Sequence, residues 1–229
     1  MPTIPGAGLL RDIAKMPCSG TAFRHAERFR RAAIDLIERE GLLAPAYRVR
    51  IIPLDAPPDN VLRVGGEVLD AARLIPDNGQ LTALACGVCT LGPGIERRLT
   101  TLVAERRRSL ALALDKVAND LLFVLVRRAQ DRLIAEARTL QLTVAGELRA
   151  GDPGLPLDAQ SAVWRLSGGN SIGVTVTEGQ ALRPLKSISM VLGVGIDLPA
   201  VHWSRCDDCP SAPKCRMSAT PREGLSGGP

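Results

Sequence analysis

Apolar residues recur at helical spacing in two parts of the chain. In residues 21–41 they alternate with Arg and Glu, and Gly41 is a natural C-terminal stop, so we predict a helix there. Residues 92–140 form a second, longer helical region that starts at Pro93, and its apolar positions from Leu110 onward step by three and four. Neighbouring arginines indicate a break or surface turn before Leu110.

Alternating or continuous apolar runs predict the strands. They lie at 47–54, 61–70 (interrupted by Gly65-Gly66), 81–91, 142–150, 172–177 and 187–196. A short helix opens at Pro156 or Asp158 and runs through Trp164 to Leu166. Because strands and helices interleave without regular βαβ spacing, we predict an α+β fold. It is a single domain with a mostly antiparallel twisted sheet, flanking helices and a long central helical region.

Composition narrows the class of protein. The chain has 229 residues, 45% of them hydrophobic, which suffices for a core, but only 3% are aromatic. The net charge of +5 argues weakly for nucleic acid, because the aromatic platforms on which bases stack are missing, and we expect no nucleic-acid partner. Residues 109–126 are the most apolar stretch but contain four strongly polar residues, so we expect no membrane span. No secretory signal is visible at the start, which predicts a cytoplasmic location.

The cysteines offer candidate metal chemistry. Cys206, Cys209 and Cys215 lie in the segment CDDCPSAPKC, where x2 and x5 spacing allows three thiolates to converge on one metal or iron–sulfur cluster. In a reducing compartment clustered cysteines favour a metal over a disulfide, although the disulfide alternative stays open. A second pair, Cys86 and Cys89, lies in an apolar strand.

A fourth ligand must come from elsewhere in the chain. On a strand, x2 spacing points side chains to opposite faces unless Gly87 bends the chain, so we expect one buried cysteine and one site cysteine. Cys86 is the candidate fourth ligand. We therefore divide the chain into a domain at 1–204, a cysteine tail at 205–218 and a segment at 219–229 whose Gly, Pro and Ser predict disorder.

Three segments in a fixed order carry a resemblance to a known family. The first is Thr90-Leu-Gly-Pro93, which precedes the long helical region. The second is the loop 149–158, which leads into the helix with Trp164, and the third is Pro184-Leu-Lys-Ser187-Ile-Ser189-Met-Val-Leu-Gly193. Together they resemble the reactivation domain of cobalamin-dependent methionine synthase and its stand-alone relatives, several of which also end in a cysteine cluster. The similarity covers about residues 25–217.

The resemblance implies a ligand for the loop. In the family the loop holds S-adenosylmethionine and the domain presents this methyl donor to a reduced corrinoid. The positions that match are Arg149, Gly151, Pro153 and Gly154, and Asp158 is a further candidate that can accept from a ribose hydroxyl or an ammonium group. A guanidinium can fork onto the methionyl carboxylate, and glycine lets a backbone approach closely. Leu155 stands where the family has tyrosine, and the arginine lies one residue further from Pro-Gly.

These observations favour an accessory protein of corrinoid-dependent methyl transfer. It binds S-adenosylmethionine, or passes an electron through an iron–sulfur cluster in the tail, to reactivate a separate corrinoid-binding protein or methyltransferase. An electron donor is then a further partner, and any enzymatic activity is part of that reductive reactivation. The competing interpretations are a non-enzymatic module stapled by zinc, a relative that kept the fold and lost the ligand, and a plain Pro- and Gly-rich turn with a surface arginine.

Overall fold

The computed structural model describes residues 6–14 and 23–199. Their α-helices are α1 (Gly6–Ala14), α2 (Phe23–Arg39), α3 (Gly94–Ala104), α4 (Arg108–Thr139) and α5 (Gln160–Ser167). Their strands are β1 (Ala46–Pro53), β2 (Leu62–Val64), β3 (Glu67–Leu69), β4 (Gln80–Thr90), β5 (Thr143–Leu148), β6 (Thr175–Val176), β7 (Leu182–Arg183) and β8 (Ser187–Ile196). Single 3₁₀ turns lie at Ala72–Leu74, Leu157–Ala159 and Gly169–Ile172. The predicted α+β class is confirmed.

The main sheet has the strand order β1-β4-β8-β5 and is antiparallel, as predicted. At one edge β5 pairs with β8, with Thr143 opposite Gly195 and Leu148 opposite Val191. The predicted strand at 61–70 is in fact the hairpin β2–β3, which turns at Gly65 and Gly66. Of the predicted strand at 172–177, only β6 forms, and it pairs with β7 in a second small hairpin.

The predicted long helical region is two helices. It breaks between Ala104 and Arg108, where Arg106 has a φ of 58°, and this left-handed residue stops α3 before α4 begins. Of the apolar positions predicted to form the buried face of α4, Leu114 and Leu121 are wholly inaccessible, whereas Leu112 is 73% exposed. Within the described residues, none of the helices is both long enough and apolar enough to cross a membrane.

The chain folds as two compact units. Of the described residues, unit 1 comprises 6–14, 23–48, 88–130 and 170–188, and unit 2 comprises 49–87, 131–169 and 189–199. The predicted boundary at residue 204 lies outside the described residues and stays a prediction.

Unit 1 is tied together by a buried ion pair. Arg30 of α2 donates from Nη1 to Asp120 Oδ2 of α4 at 2.8 Å and from Nη2 to the Ile13 carbonyl of α1 at 2.6 Å. The two side chains are 9% and 12% exposed. One guanidinium therefore links three helices, and both charges of the pair have partners, as buried charges require.

A second polar network in unit 1 accounts for Asp115 and Asn119, two polar residues on the apolar helix α4. Lys186, immediately before β8, donates from Nζ to Asp115 Oδ1 at 2.6 Å and to Asn119 Oδ1 at 2.8 Å. Next along the chain, Ser187 Oγ donates to Thr90 Oγ1 at 2.8 Å. Polar side chains of α4 and β4 thus hold the start of β8 in place.

Unit 2 has its own apolar core. It is built mainly from aliphatic side chains of β2–β5, α5 and β8, as the scarcity of aromatics predicts. Its fully buried members include Leu62, Val64, Leu69, Leu84, Cys86, Leu155, Val163 and Val191. Leu155 anchors the loop 149–158 in this core, so the loop is part of the packed unit.

Candidate functional site

The loop 149–158 leaves the sheet at the end of the edge strand β5 and runs into α5. The loop begins with a tight turn, in which two hydrogen bonds join Arg149 and Asp152. Arg149 N donates to Asp152 Oδ2 at 3.0 Å, and Asp152 N donates back to the Arg149 carbonyl at 2.9 Å. Gly151 N donates to the Leu155 carbonyl at 2.9 Å, and Leu155 N donates to the Asp152 carbonyl at 3.0 Å. The loop is consequently held in one shape by its own backbone hydrogen bonds and by the Asp152 side chain, which suits a preformed ligand site.

Arg149 has an acidic neighbour that the sequence analysis did not single out. Its Nε and Nη2 both donate to Glu147 Oε1, at 3.0 and 2.8 Å. The two residues are i and i+2 on an extended chain and so share a face, and their side chains are only 12% and 14% exposed. The guanidinium therefore sits beside a carboxylate in a largely dry environment, where charge-assisted hydrogen bonds are strong.

Two glycines have the backbone conformation that the loop needs. Gly151 and Gly154 both have a φ of 92°, a region that side chains disfavour. A Cβ on Gly154 would also lie 2.5 Å from Arg73 Cδ, whose guanidinium donates from Nη1 to the Pro153 carbonyl at 3.2 Å. Arg73 thus crosses directly over the Pro-Gly turn, and only glycine leaves room for it.

The other residues of the loop divide between core and surface. Leu155, at the position where the resembled family has tyrosine, is wholly buried in the core of unit 2. Pro153 and Asp158 are exposed, and Asp158 lies in the 3₁₀ turn Leu157–Ala159 that precedes α5. The predicted ligand residues thus share one loop, as their adjacency in the sequence requires, whereas Leu155 packs into the core.

The two serines of the third motif lie on β8 and are both buried. Ser187 bonds Thr90 in unit 1, whereas Ser189, in unit 2, donates from Oγ to Gln160 Oε1 at 3.2 Å. Gln160 is the first residue of α5 and is 6% exposed. Sequence reasoning missed Gln160, although a glutamine at the start of a largely apolar helix was a visible signal.

The two mid-chain cysteines are buried and are not in a disulfide. Cys86 belongs to the apolar core of unit 2, and burial raises the pKa of its thiol to about 12. Metals bind the thiolate, so this environment does not favour Cys86 as a ligand. Its assignment as the fourth ligand stays a prediction.

The predicted metal site cannot be located on the described part of the chain. Cys206, Cys209 and Cys215 all lie outside the described residues, as do Cys18 and His202. Across 6–14 and 23–199, no group of three or more His, Cys, Asp or Glu side chains is arranged to hold a metal ion. The tail cysteines therefore stay a prediction that rests on their spacing.

Comparison with known proteins identifies the fold. No model of a known protein family and no curated protein matches the chain. Among solved structures, the crystal structure of the MetH reactivation domain bound to AdoHcy superposes with a TM-score of 0.61. The match has 13% sequence identity and covers 85% of this chain and 71% of that chain. The chain has the fold of a reactivation domain.

The resemblance suspected from the three motifs is therefore confirmed at the level of the fold. At 13% identity, it is the architecture that is shared. The ligand AdoHcy belongs to the MetH crystal structure. What a reactivation-domain fold does in this chain has to be argued from its own loop and from the residues around it.

Proposed function

We propose that this chain binds S-adenosylmethionine at the loop 149–158 and serves as an accessory protein in the reactivation of a separate corrinoid protein. The observation that carries the proposal is the largely buried pair of Arg149 and Glu147 at the start of a loop with two left-handed glycines. The reactivation-domain fold and the order of the three motifs support the same assignment.

The charges at the start of the loop are complementary to the amino-acid half of the ligand. The methionyl group carries a carboxylate and an ammonium on one carbon. Arg149 and Glu147 place a guanidinium and a carboxylate within hydrogen-bond distance of each other, at 2.8 Å. In the proposed complex Arg149 forks onto the ligand carboxylate while Glu147 accepts from the ammonium. Binding then exchanges one charge-assisted pair for two.

The glycines and the exposed side of the loop accommodate the remainder of the ligand. Gly151 has space around its missing Cβ, with Leu157 Cδ1 as the nearest atom at 3.6 Å. A ligand can therefore approach the backbone there. In the proposed complex Asp158, which is exposed at the end of the loop, accepts from a ribose hydroxyl. The bound donor supplies an electrophilic methyl group, and the residues of this chain bind and orient it.

Calorimetric titration with S-adenosylmethionine tests this proposal. We expect the wild type to bind and the variant Arg149→Lys, which keeps the charge but loses the fork, to bind about tenfold more weakly. Arg165→Lys is the matched control, because Arg165 makes a similar two-nitrogen pair with Glu67 in the same unit. Its affinity should equal that of the wild type.

Two results would contradict the proposal. Absence of heat from the wild type at millimolar ligand would remove the donor-binding function. Equal losses in Arg149→Lys and Arg165→Lys would show that the loop arginine has no special part in binding.

The cysteine tail supplies the second half of the proposal. We infer that Cys206, Cys209 and Cys215 hold an iron–sulfur cluster that passes an electron to the corrinoid partner, with zinc as the competing occupant. Anaerobic purification followed by iron, sulfide and zinc analysis separates the two metals. Cys209→Ser should lose the metal and Cys18→Ser should keep it. Metal-free wild type with an unchanged fold in Cys209→Ser would overturn both uses of the tail.

A further inference from the structure

Gln160 and Ser189 form a buried polar pair in unit 2 that is satisfied on one side only. Ser189, 4% exposed, donates to Gln160 Oε1, which holds the amide group in place. The other end of the amide, Nε2, is fully buried and has no hydrogen-bond partner among the described residues. A buried donor without an acceptor costs folding free energy, so native proteins rarely keep one without a function for it.

The pair lies at the base of the loop 149–158. The pairing of β5 with β8 ends with Leu148 opposite Val191. Because the two strands are antiparallel, Ser189, two residues before Val191 on β8, lies at the level where β5 passes into the loop at Arg149. At the other end of the loop, Asp158 precedes Gln160 by two residues. Both ends of the loop therefore converge on the buried pair.

Packing and helix capping do not explain the amide. Ala159, which caps α5, makes no side-chain capping bond, and the Gln160 side chain reaches Ser189 on another element. A residue retained only to fill the core would be better as methionine, because methionine has a similar shape and no donor to satisfy. Within the described residues, neither packing nor helix capping supplies an acceptor for Gln160 Nε2.

We propose that Gln160 Nε2 donates a hydrogen bond to the ligand of the loop and that Ser189 is the positioning residue that orients the amide. This inference rests on the proposed function. Arg149 and Glu147 carry charges that suit the methionyl half of the ligand. A neutral amide donor suits a neutral acceptor, a ring nitrogen or ribose oxygen of the adenosyl half. Gln160 is therefore a specificity residue for the adenosyl group.

The test compares two ligands on two variants of the full chain. S-adenosylmethionine contains both halves, whereas methylthioadenosine has the adenosyl half without the amino acid. Gln160→Met should weaken both ligands about tenfold. Arg149→Lys should weaken S-adenosylmethionine and leave methylthioadenosine unchanged. Ser189→Ala should weaken both ligands by a smaller factor, because the amide loses its orientation but keeps its donor.

A measurement without ligand checks the premise. If Nε2 is unsatisfied in the free protein, Gln160→Met loses only the hydrogen bond from Ser189, so its Tm should fall no further than that of Ser189→Ala. A fall in Tm of more than about 5 °C would mean that the amide has a partner inside the protein, and would overturn the inference. Gln160→Glu, which keeps the acceptor for Ser189 but replaces the donor, is the second variant for the binding measurements.

The outcomes separate this inference from the proposed function. If the wild type binds neither ligand, the proposed function fails and Gln160 has no ligand to contact. If the wild type binds S-adenosylmethionine and Gln160→Met binds it equally well, the function stands and the role of Gln160 is overturned. Loss of S-adenosylmethionine alone in Gln160→Met, or failure of methylthioadenosine to bind the wild type, would overturn the assignment to the adenosyl half.

Discussion

Ser187 and Ser189 belong to the same strand and the same motif, yet their hydrogen-bond networks differ. In unit 1, Ser187 donates to Thr90 Oγ1, which also accepts from Gly92 N at 3.1 Å. In unit 2, Ser189 donates to Gln160, whose Nε2 lacks a partner among the described residues. The first network is closed and holds β4 and β8 together. The second is open, and it lies where a ligand is proposed.

The same contrast extends to the charged groups. Arg30 and Asp120 of unit 1 are a buried pair between helices, with the Ile13 carbonyl as a further acceptor. Arg149 and Glu147 of unit 2 are nearly as buried but lie at the start of a glycine-rich loop. Buried polar chemistry in itself therefore does not indicate a site. What distinguishes the second pair is its position beside a glycine-rich loop, at which we propose that a ligand binds.

The largest effect that we expect is on stability, in unit 1. Asp120→Asn leaves the Arg30 guanidinium buried without its counter-charge and should lower the free energy of unfolding by about 3 kcal/mol. Urea unfolding measures this loss. The double variant Arg30→Met with Asp120→Leu should recover part of it, because an apolar pair needs no counter-charge. A loss of stability below about 1 kcal/mol would show that the Arg30–Asp120 pair contributes no more than an exposed ion pair does.

The serines should produce a smaller but more selective effect. Ser187→Ala and Ser189→Ala each remove one buried hydrogen bond and should each cost about 1 kcal/mol of stability. Only Ser189→Ala should also weaken S-adenosylmethionine, because only Ser189 orients the open amide. Urea unfolding of both variants measures the loss of stability, and calorimetric titration measures their affinity for S-adenosylmethionine. An equal loss of affinity in the two variants would abolish the distinction between closed and open networks.

The smallest effect is expected from an exposed ion pair in unit 2. The hydrogen bond from Arg165 lowers the pKa of Glu67, so the unfolded carboxyl takes up its proton at a higher pH than the native one. The stabilisation is thus present above the ordinary pKa of 4.5 and is lost as the pH falls through the lowered native value. Because the Arg165 side chain is 53% exposed, the stabilisation by this ion pair should stay below about 1 kcal/mol.

Urea unfolding of the wild type and Glu67→Gln at pH 7 and pH 3 measures that stabilisation. The difference between the two proteins should shrink at the lower pH. A difference that grows on acidification would reverse the assigned sign. A loss of several kcal/mol at pH 7 would make this pair comparable to the buried ones, contrary to its exposure.

The sequence predicted the parts of the molecule that depend on local patterns. The strand β8, the helix α2 and the break before α4 follow from apolar spacing and from neighbouring arginines. The loop 149–158 was predicted because glycine and proline mark left-handed and turn positions directly. The resemblance of three short motifs then predicted the fold.

What the sequence did not predict depends on tertiary contacts. Gln160 meets Ser189 across 29 positions, and no local pattern encodes such a pairing. The strand at 61–70 became a hairpin because Gly65 and Gly66 turn the chain fully back, where the sequence indicated only an interruption. The helix α1 was missed because nine residues give few periodic positions, although Leu9 and Ile13 are fully buried.

The burial of Cys86 and Cys89 also determines how the cysteine chemistry of this protein can be measured. Burial raises the pKa of the Cys86 thiol to about 12, so it has almost no thiolate at neutral pH, and reagents cannot reach either thiol because both are wholly inaccessible. Any cysteine that is alkylated rapidly in the folded chain must therefore be Cys18, Cys206, Cys209 or Cys215. Mass spectrometry of the labelled protein, with and without a chelator, would then report directly on the tail. The buried pair serves as an internal standard that becomes reactive only when the protein unfolds.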